Sequence, residues 1–298
     1  MHRKAFSSLA FLLLAACNET QAIAETPTQT DNTVNLVSTP ETSRSDNYTA
    51  FASVVAKHQA MSDRVTNISR RLRVANAPLC DVTRLDAGLT THQLIDYPAP
   101  LRPLALHFMD LGEEGRFIRS IAPGSPADHS DLEIGDQILS GWPLSGDTDL
   151  ITSDGPMPIN ADTACVAPAF VIDSPVFNAS TDGREIILST ALVEHLSDET
   201  SLAFIIAHEM AHILRGHSPD GPRWVVELQA DADALTLMRN AGYDVRRTVE
   251  DWESSVDAHR QSQSMSATHP PISIRLRNLE AALERLETLP ESFIPLSD

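Results

Sequence analysis

His208, Glu209 and His212 stand in the string Ser201-Leu-Ala-Phe-Ile-Ile-Ala-His-Glu-Met-Ala-His-Ile-Leu-Arg-Gly216. Two imidazoles four positions apart on a helix lie one turn apart on the same face. Both can then reach a single zinc ion at about 2.0–2.1 Å. Glu209 is rotated off that line, so it can hold a water on the metal as a general base without being a ligand. Leu202, Ala203, Phe204, Ile205, Ile206, Ala207, Met210, Ala211, Ile213 and Leu214 surround the helix on nearly every side. The helix is therefore expected to be buried, and burying three polar side chains without partners would cost about 1–3 kcal/mol each. Ser197 or Asp198 can cap its start and Gly216 can end it.

So short a pattern also arises by chance, so a second signal is needed, and it follows at once. Gly221-Pro222 opens another helix that Gly242 ends, reading Trp224-Val-Val-Glu-Leu-Gln-Ala-Asp-Ala-Asp-Ala-Leu-Thr-Leu-Met238. Glu227 and Asp231 are one turn apart on a face shared with Trp224, Leu228, Ala234 and Leu235. Glu227 can supply a third ligand, and Asp231 can accept the N–H of a ligand histidine and set its tautomer. Two histidines and one glutamate leave a fourth position open, as hydrolysis requires.

His-Glu-Met-Ala-His followed by Glu-Leu-Gln-Ala-Asp resembles the zinc metallopeptidase family that contains HtpX and the CAAX prenyl proteases. Three further strings agree: Asn178-Ala-Ser-Thr-Asp-Gly183 is similar to the family's Asn-Ala segment before the strand lining the cleft, Thr268-His-Pro-Pro-x-x-x-Arg275 to its C-terminal His-Pro motif, and Asp198 to His217 to its whole metal helix. The likeness covers residues 165–286 well and the N-terminal helix weakly. It implies an α+β, mostly helical, gluzincin-like endopeptidase with one zinc ion and polypeptide substrates, of a branch without spanning segments. A substrate would lie extended along an edge strand made by Glu185, Ile186, Ile187 and Leu188, beside Asn178. His269 sits just before a helix begun by Pro270 and Pro271, where it could stabilise an oxyanion or block the fourth metal position. Arg275 could pair with a buried acid near the zinc. His217 is expected past the helix end and outside the ligand set.

The elements that must position these groups are legible more coarsely. Phe51, Val54, Val55, His58, Met61, Val65, Ile68 and Leu72 recur at spacings of three and four, one stripe of an amphipathic helix over about residues 47–75. Phe170-Val-Ile and Glu185-Ile-Ile-Leu-Ser read as strands, with a turn at Thr181-Asp182-Gly183. Ile272, Leu276, Leu279, Leu283 and Leu286 stripe a C-terminal helix. Between residues 98 and 160 proline and glycine become frequent. There the run from Ile121 to Leu139 resembles a PDZ domain: Pro-Gly-Ser-Pro-Ala opening a short helix, then Leu-x-x-Gly-Asp-x-Ile-Leu. Leu104-Ala105-Leu106-His107-Phe108 lacks the glycines with which such a domain holds a peptide carboxylate, although a peptide could still add as a strand. Cys80 and Cys165 flank this segment and can either bridge its base in an oxidising space or stay buried free thiols.

His2, Arg3 and Lys4, then apolar Ala5 to Leu14, make a secretory signal too short for an ordinary membrane span. Leu14-Ala15-Ala16-Cys17 looks like the lipobox of bacterial lipoproteins, which implies cleavage after residue 16 and acylation of Cys17. Asn18 after the cysteine favours, by the same resemblance, the periplasmic side of the outer membrane. Residues 17–45 are too polar to order themselves and read as a tether, which leaves 46–97 as the N-terminal helical part of the peptidase, 98–160 as a β-rich insert and 161–298 as the zinc domain. A net charge of −19 argues against a nucleic-acid partner, and 42% apolar residues suffice for a core. The rival readings are a PDZ-bearing adaptor or chaperone with a structural zinc, which would need four protein ligands, and an inactive envelope lipoprotein, which gives Glu209 no reason to be there.

Overall fold

A computed structural model describes residues 41–145, 149–217, 223–260, 270–290 and 292–296. Cys17, most of the tether and His269 lie outside the described residues. Helix α1 spans Glu41–Ala75, starting earlier than the apolar stripe alone suggests. Its Val55, Val65, Ile68 and Leu72 are buried, while Val54 is half exposed. Then follow strands β1 (Thr83–Asp86) and β2 (Leu89–His92), helix α2 (Arg102–Phe108), and strands β3 (Arg116–Ile121), β4 (Gln137–Ser140), β5 (Leu150–Thr152), β6 (Gly155–Met157) and β7 (Asp162–Cys165). Strands β8 (Ala169–Ile172), β9 (Ala179–Thr181) and β10 (Ile186–Ser189) lead into α3 (Thr190–His195), α4 (Glu199–Arg215), α5 (Arg223–Asn240), α6 (Val245–Arg260) and α7 (Ile272–Glu287). Among the described residues no helix is long and apolar enough to cross a membrane.

One core carries the peptidase part. Leu202, Phe204, Ile206 and Met210 of α4 meet Leu235, Leu237 and Met238 of α5, Val65 and Leu72 of α1, and Ile186 and Leu188 of β10, all fully buried. The sheet behind them runs β8-β10-β9, with β10 parallel to β8 and antiparallel to β9. This corrects the expected substrate edge. Glu185 leads into β10, and Ile186, Ile187 and Leu188 form the central strand, its backbone groups already paired on both sides. An Ile-Ile-Leu run suits a strand paired on both sides, and the edges of the sheet fall on β8 and on short, polar β9. Asn178 lies directly before β9, tied to β10 by Asn178 N–H donating to Ser189 Oγ at 3.1 Å and Ser189 N–H to Asn178 O at 2.9 Å.

Strands β2 to β6 form a separate antiparallel sheet in chain order. Its own core is Ala87, Leu89, Ile118, Ala127, Leu132, Ile138 and Leu150. The sheet takes in Leu89–His92, which precede residue 98 in the chain. The Pro-Gly-Ser-Pro-Ala segment is a series of turns and not the short helix expected. Ser125 Oγ accepts the Asp128 N–H at 3.2 Å and Asp128 accepts the Gly124 N–H at 2.8 Å. Local side-chain bonds of this kind compete with helical ones.

The stem of the insert is stapled three ways. Strands β1 and β7 pair, Thr83 opposite Cys165. Cys80 and Cys165 are disulfide-bonded, their Cα atoms 5.6 Å apart. From α1, Arg70 Nε donates to Asp86 Oδ1 at 3.1 Å and Arg73 Nη2 to Asp86 Oδ2 at 2.7 Å, while Arg70 also pairs with Asp162. Removing one partner of so buried a pair typically costs about 3–5 kcal/mol. Val55 of α1 also joins Tyr97, Ala105, Met109 and Leu111 in a small cluster between α1 and the insert.

The insert also contains a titratable weak point. His92 is 3% exposed and its Nδ1 is hydrogen-bonded to the Tyr97 hydroxyl at 2.9 Å. Burial, helped by the charge of Arg119, pushes its pKa down to about 4. An unfolded histidine titrates near 6.5, so between about pH 6.5 and 4 the unfolded chain binds the extra proton. Stability is therefore expected to fall as pH drops through that window. Urea midpoints measured across it should slope less in His92→Asn, which keeps a partner for Tyr97 but cannot take the proton; equal slopes would refute the assignment.

Candidate metal centre

Helix α4 starts where Asp198 accepts the Ser201 N–H at 2.9 Å, and it ends at Gly216, whose left-handed φ of 60° suits glycine. Packing of α4 along α5 then decides the site. His208, His212 and Glu227 offer one donor atom each, all within 4.8 Å of one another. His208 Nε2 is 3.2 Å from His212 Nε2 and 3.3 Å from Glu227 Oε2, and His212 Nε2 is 3.7 Å from Glu227 Oε1. Tetrahedral donors about 2.0–2.1 Å from one zinc ion lie about 3.3–3.4 Å from each other, so the spacing fits the metal.

The tautomers fit as well. Asp231 is fully buried, and Arg275 grips it with two bonds, Nε to Oδ2 at 2.8 Å and Nη2 to Oδ1 at 2.5 Å. Burial alone would raise the Asp231 carboxyl, but Arg275 and the bond from His208 hold it down at about 2. An ionised carboxylate only accepts, so His208 Nδ1–H donates to Asp231 Oδ1 at 3.0 Å. In the neutral ring the lone pair is then on Nε2, aimed at the other two donors. Three electron-rich atoms converging in a nearly buried place call for a cation between them. The field shows in the protonation of the pair. Burial opposes a charge on His208, yet Asp231 and Glu227 outweigh it and hold its pKa up at about 9. Burial and the neighbouring charge of His208 push His212 down to about 4.

Glu209 projects from the same turn of α4. Burial raises its carboxyl pKa, Glu227 adds to the rise, and His208 and Arg275 oppose it. Arg275 lies behind Asp231, with its guanidinium 5.0 Å from the centre of the Trp252 ring. It thus grips the buried acid whose Oδ1 also takes the bond from His208. Strand β9 packs against α4. Sequence reasoning left out His217 and Gln229, which stand behind His212. His212 and His217 are five apart, a spacing that places no two side chains together on a regular helix; only the reversal at Gly216 brings them together.

Two histidines and a glutamate on crossed helices, with a glutamate beside them and a small sheet at their flank, define a zinc-dependent peptidase. Residues 162–220 and 225–283 match the family model of peptidase family M48. The His-His-Glu cluster lies inside the matched segments, so this part of the chain carries the metal site of a zinc metalloendopeptidase. The match begins at β7 and so leaves out α1 and the insert. No curated protein matches the chain.

Proposed function

We propose that this protein is a lipid-anchored endopeptidase on the periplasmic side of the bacterial outer membrane, hydrolysing peptide bonds in unfolded or misassembled envelope proteins. The convergence of His208 Nε2, His212 Nε2 and the Glu227 carboxylate carries the catalytic part of this reading. Zinc, when bound, supplies Lewis-acid chemistry, acidifying a water and polarising a carbonyl oxygen. Glu209 takes the proton of the attacking water and delivers it to the leaving amine nitrogen. Its raised carboxyl pKa suits a group that must both accept and release a proton near neutrality. Asp231 keeps the His208 proton on Nδ1, and Arg275 keeps Asp231 in place. An extended substrate adds to the free edge of β9, next to Asn178.

The location rests on the Leu-Ala-Ala-Cys17 string and agrees with the Cys80–Cys165 disulfide, a bond that persists in oxidising compartments. The PDZ-like reading of the insert rests on the Gly135-Asp136 turn into β4 and on the free edges of β2 and β6, to which a peptide strand could add. Purified full chain loaded with zinc should cleave an unfolded casein substrate, lose that activity to a chelator and regain it when zinc is returned. Zinc bound at one equivalent with the substrate left intact would overturn the reading in favour of an adaptor.

A further inference from the structure

The turn that ends α4 is built around the metal centre. His217 N–H donates to His212 O at 3.1 Å and Gly216 N–H to Ile213 O at 3.1 Å. These are the six-to-one and five-to-two bonds of a Schellman closure, made possible by the left-handed Gly216. The closure folds the chain back, so that His217 Nδ1 comes to 2.9 Å from His212 Nδ1, the nitrogen on the opposite side of the ring from the donor cluster. His217 Nε2 in turn is 3.3 Å from Gln229 Oε1 on α5. One turn on, Asp233 takes Arg215 in two bonds of 2.8 and 3.0 Å, so the same stripe of α5 clamps the end of α4 twice.

We infer that His217 is a positioning residue of the metal site, accepting the Nδ1 proton of His212 and itself held by Gln229. The proton count permits one arrangement. With the His212 Nε2 lone pair turned to the donor cluster, Nδ1 must carry the hydrogen. The facing His217 Nδ1 must then be bare, which puts the His217 hydrogen on Nε2, where it donates to the Gln229 amide oxygen. Each of the two ligand histidines thus has its tautomer set from behind, His208 by a carboxylate and His212 by a neutral imidazole. A neutral acceptor suits the second ring: the cluster already holds the charges of Glu227 and Asp231, and a third carboxylate would add to their repulsion. This inference rests on the reading of His212 as a ligand.

The test is zinc affinity of the full chain, measured by competition with a chromophoric chelator, with the melting of zinc-free protein as a control. His217→Leu removes the acceptor and should weaken zinc binding about 10–100-fold. His217→Asn, which can place its amide oxygen near the lost Nδ1, should restore most of it. Gln229→Leu should weaken binding less, in the same direction. The relay is overturned if His217→Leu binds zinc like the wild type, or if His217→Asn is as weak as His217→Leu while both melt alike. A wild-type chain that binds no zinc overturns the ligand reading together with the relay. Should His217→Leu fail to fold, Gln229→Leu decides: unchanged affinity sinks the inference, reduced affinity supports it.

Discussion

Glu209→Gln is expected to lower turnover of an unfolded protein substrate by about 10²–10⁴-fold while zinc stays bound. Glutamine matches glutamate in size and shape, so α4 and its packing are preserved. It cannot accept a proton from water near neutral pH, and that is the step assigned to Glu209. Its carboxylate is no member of the three-donor cluster, so the zinc content should not change. Metal analysis and kcat on the same preparation separate the two effects. Normal cleavage by the variant would remove Glu209 as the base; loss of metal would move it into the ligand set.

Asp231→Asn should act on binding and on stability together. The amide can present its NH2 group to His208, favouring the wrong tautomer and weakening zinc binding by about 10–100-fold. It also leaves the Arg275 guanidinium, whose side chain is 13% exposed, without its counter-charge. Stripping one partner from a buried ion pair typically costs about 3–5 kcal/mol. Chelator competition reads the first effect and urea unfolding of zinc-free protein the second. If both stay at wild-type values, Asp231 is a bystander and the chain Arg275–Asp231–His208 has no function.

The two helices that carry the site were legible residue by residue. Polar groups inside an apolar helix are costly enough to announce themselves, and spacings of four define a shared face wherever a helix is regular. This is why His208, His212, Glu227 and Asp231 were found together. The same rules fail where the chain leaves the helix. His217 stands past the helix end, where helical periodicity says nothing, and its partnership is made by one left-handed glycine. Arg275 was marked by the resemblance of its motif, but its position against Asp231 depends on how α7 packs.

Strand order was also beyond reach. The Ile186–Leu188 run reads the same at the edge or in the middle of a sheet, because side-chain pattern reports which face is buried and not which backbone groups are paired. The insert's sheet recruits Leu89–His92 from a stretch assigned to the N-terminal part, and no local signal marks that pairing.

The chain by itself supplied the candidates for the chemistry: side chains able to hold a cation, the carboxylate proposed to move a proton, and the helices that bear them, since each follows from local periodicity and the cost of burying polar groups. Tertiary structure alone decided the convergence of α4 with α5, the open edge at β9, the closed stem of the insert and the imidazole behind His212. Those depend on contacts between residues far apart in sequence, whose energies no short window of the chain contains.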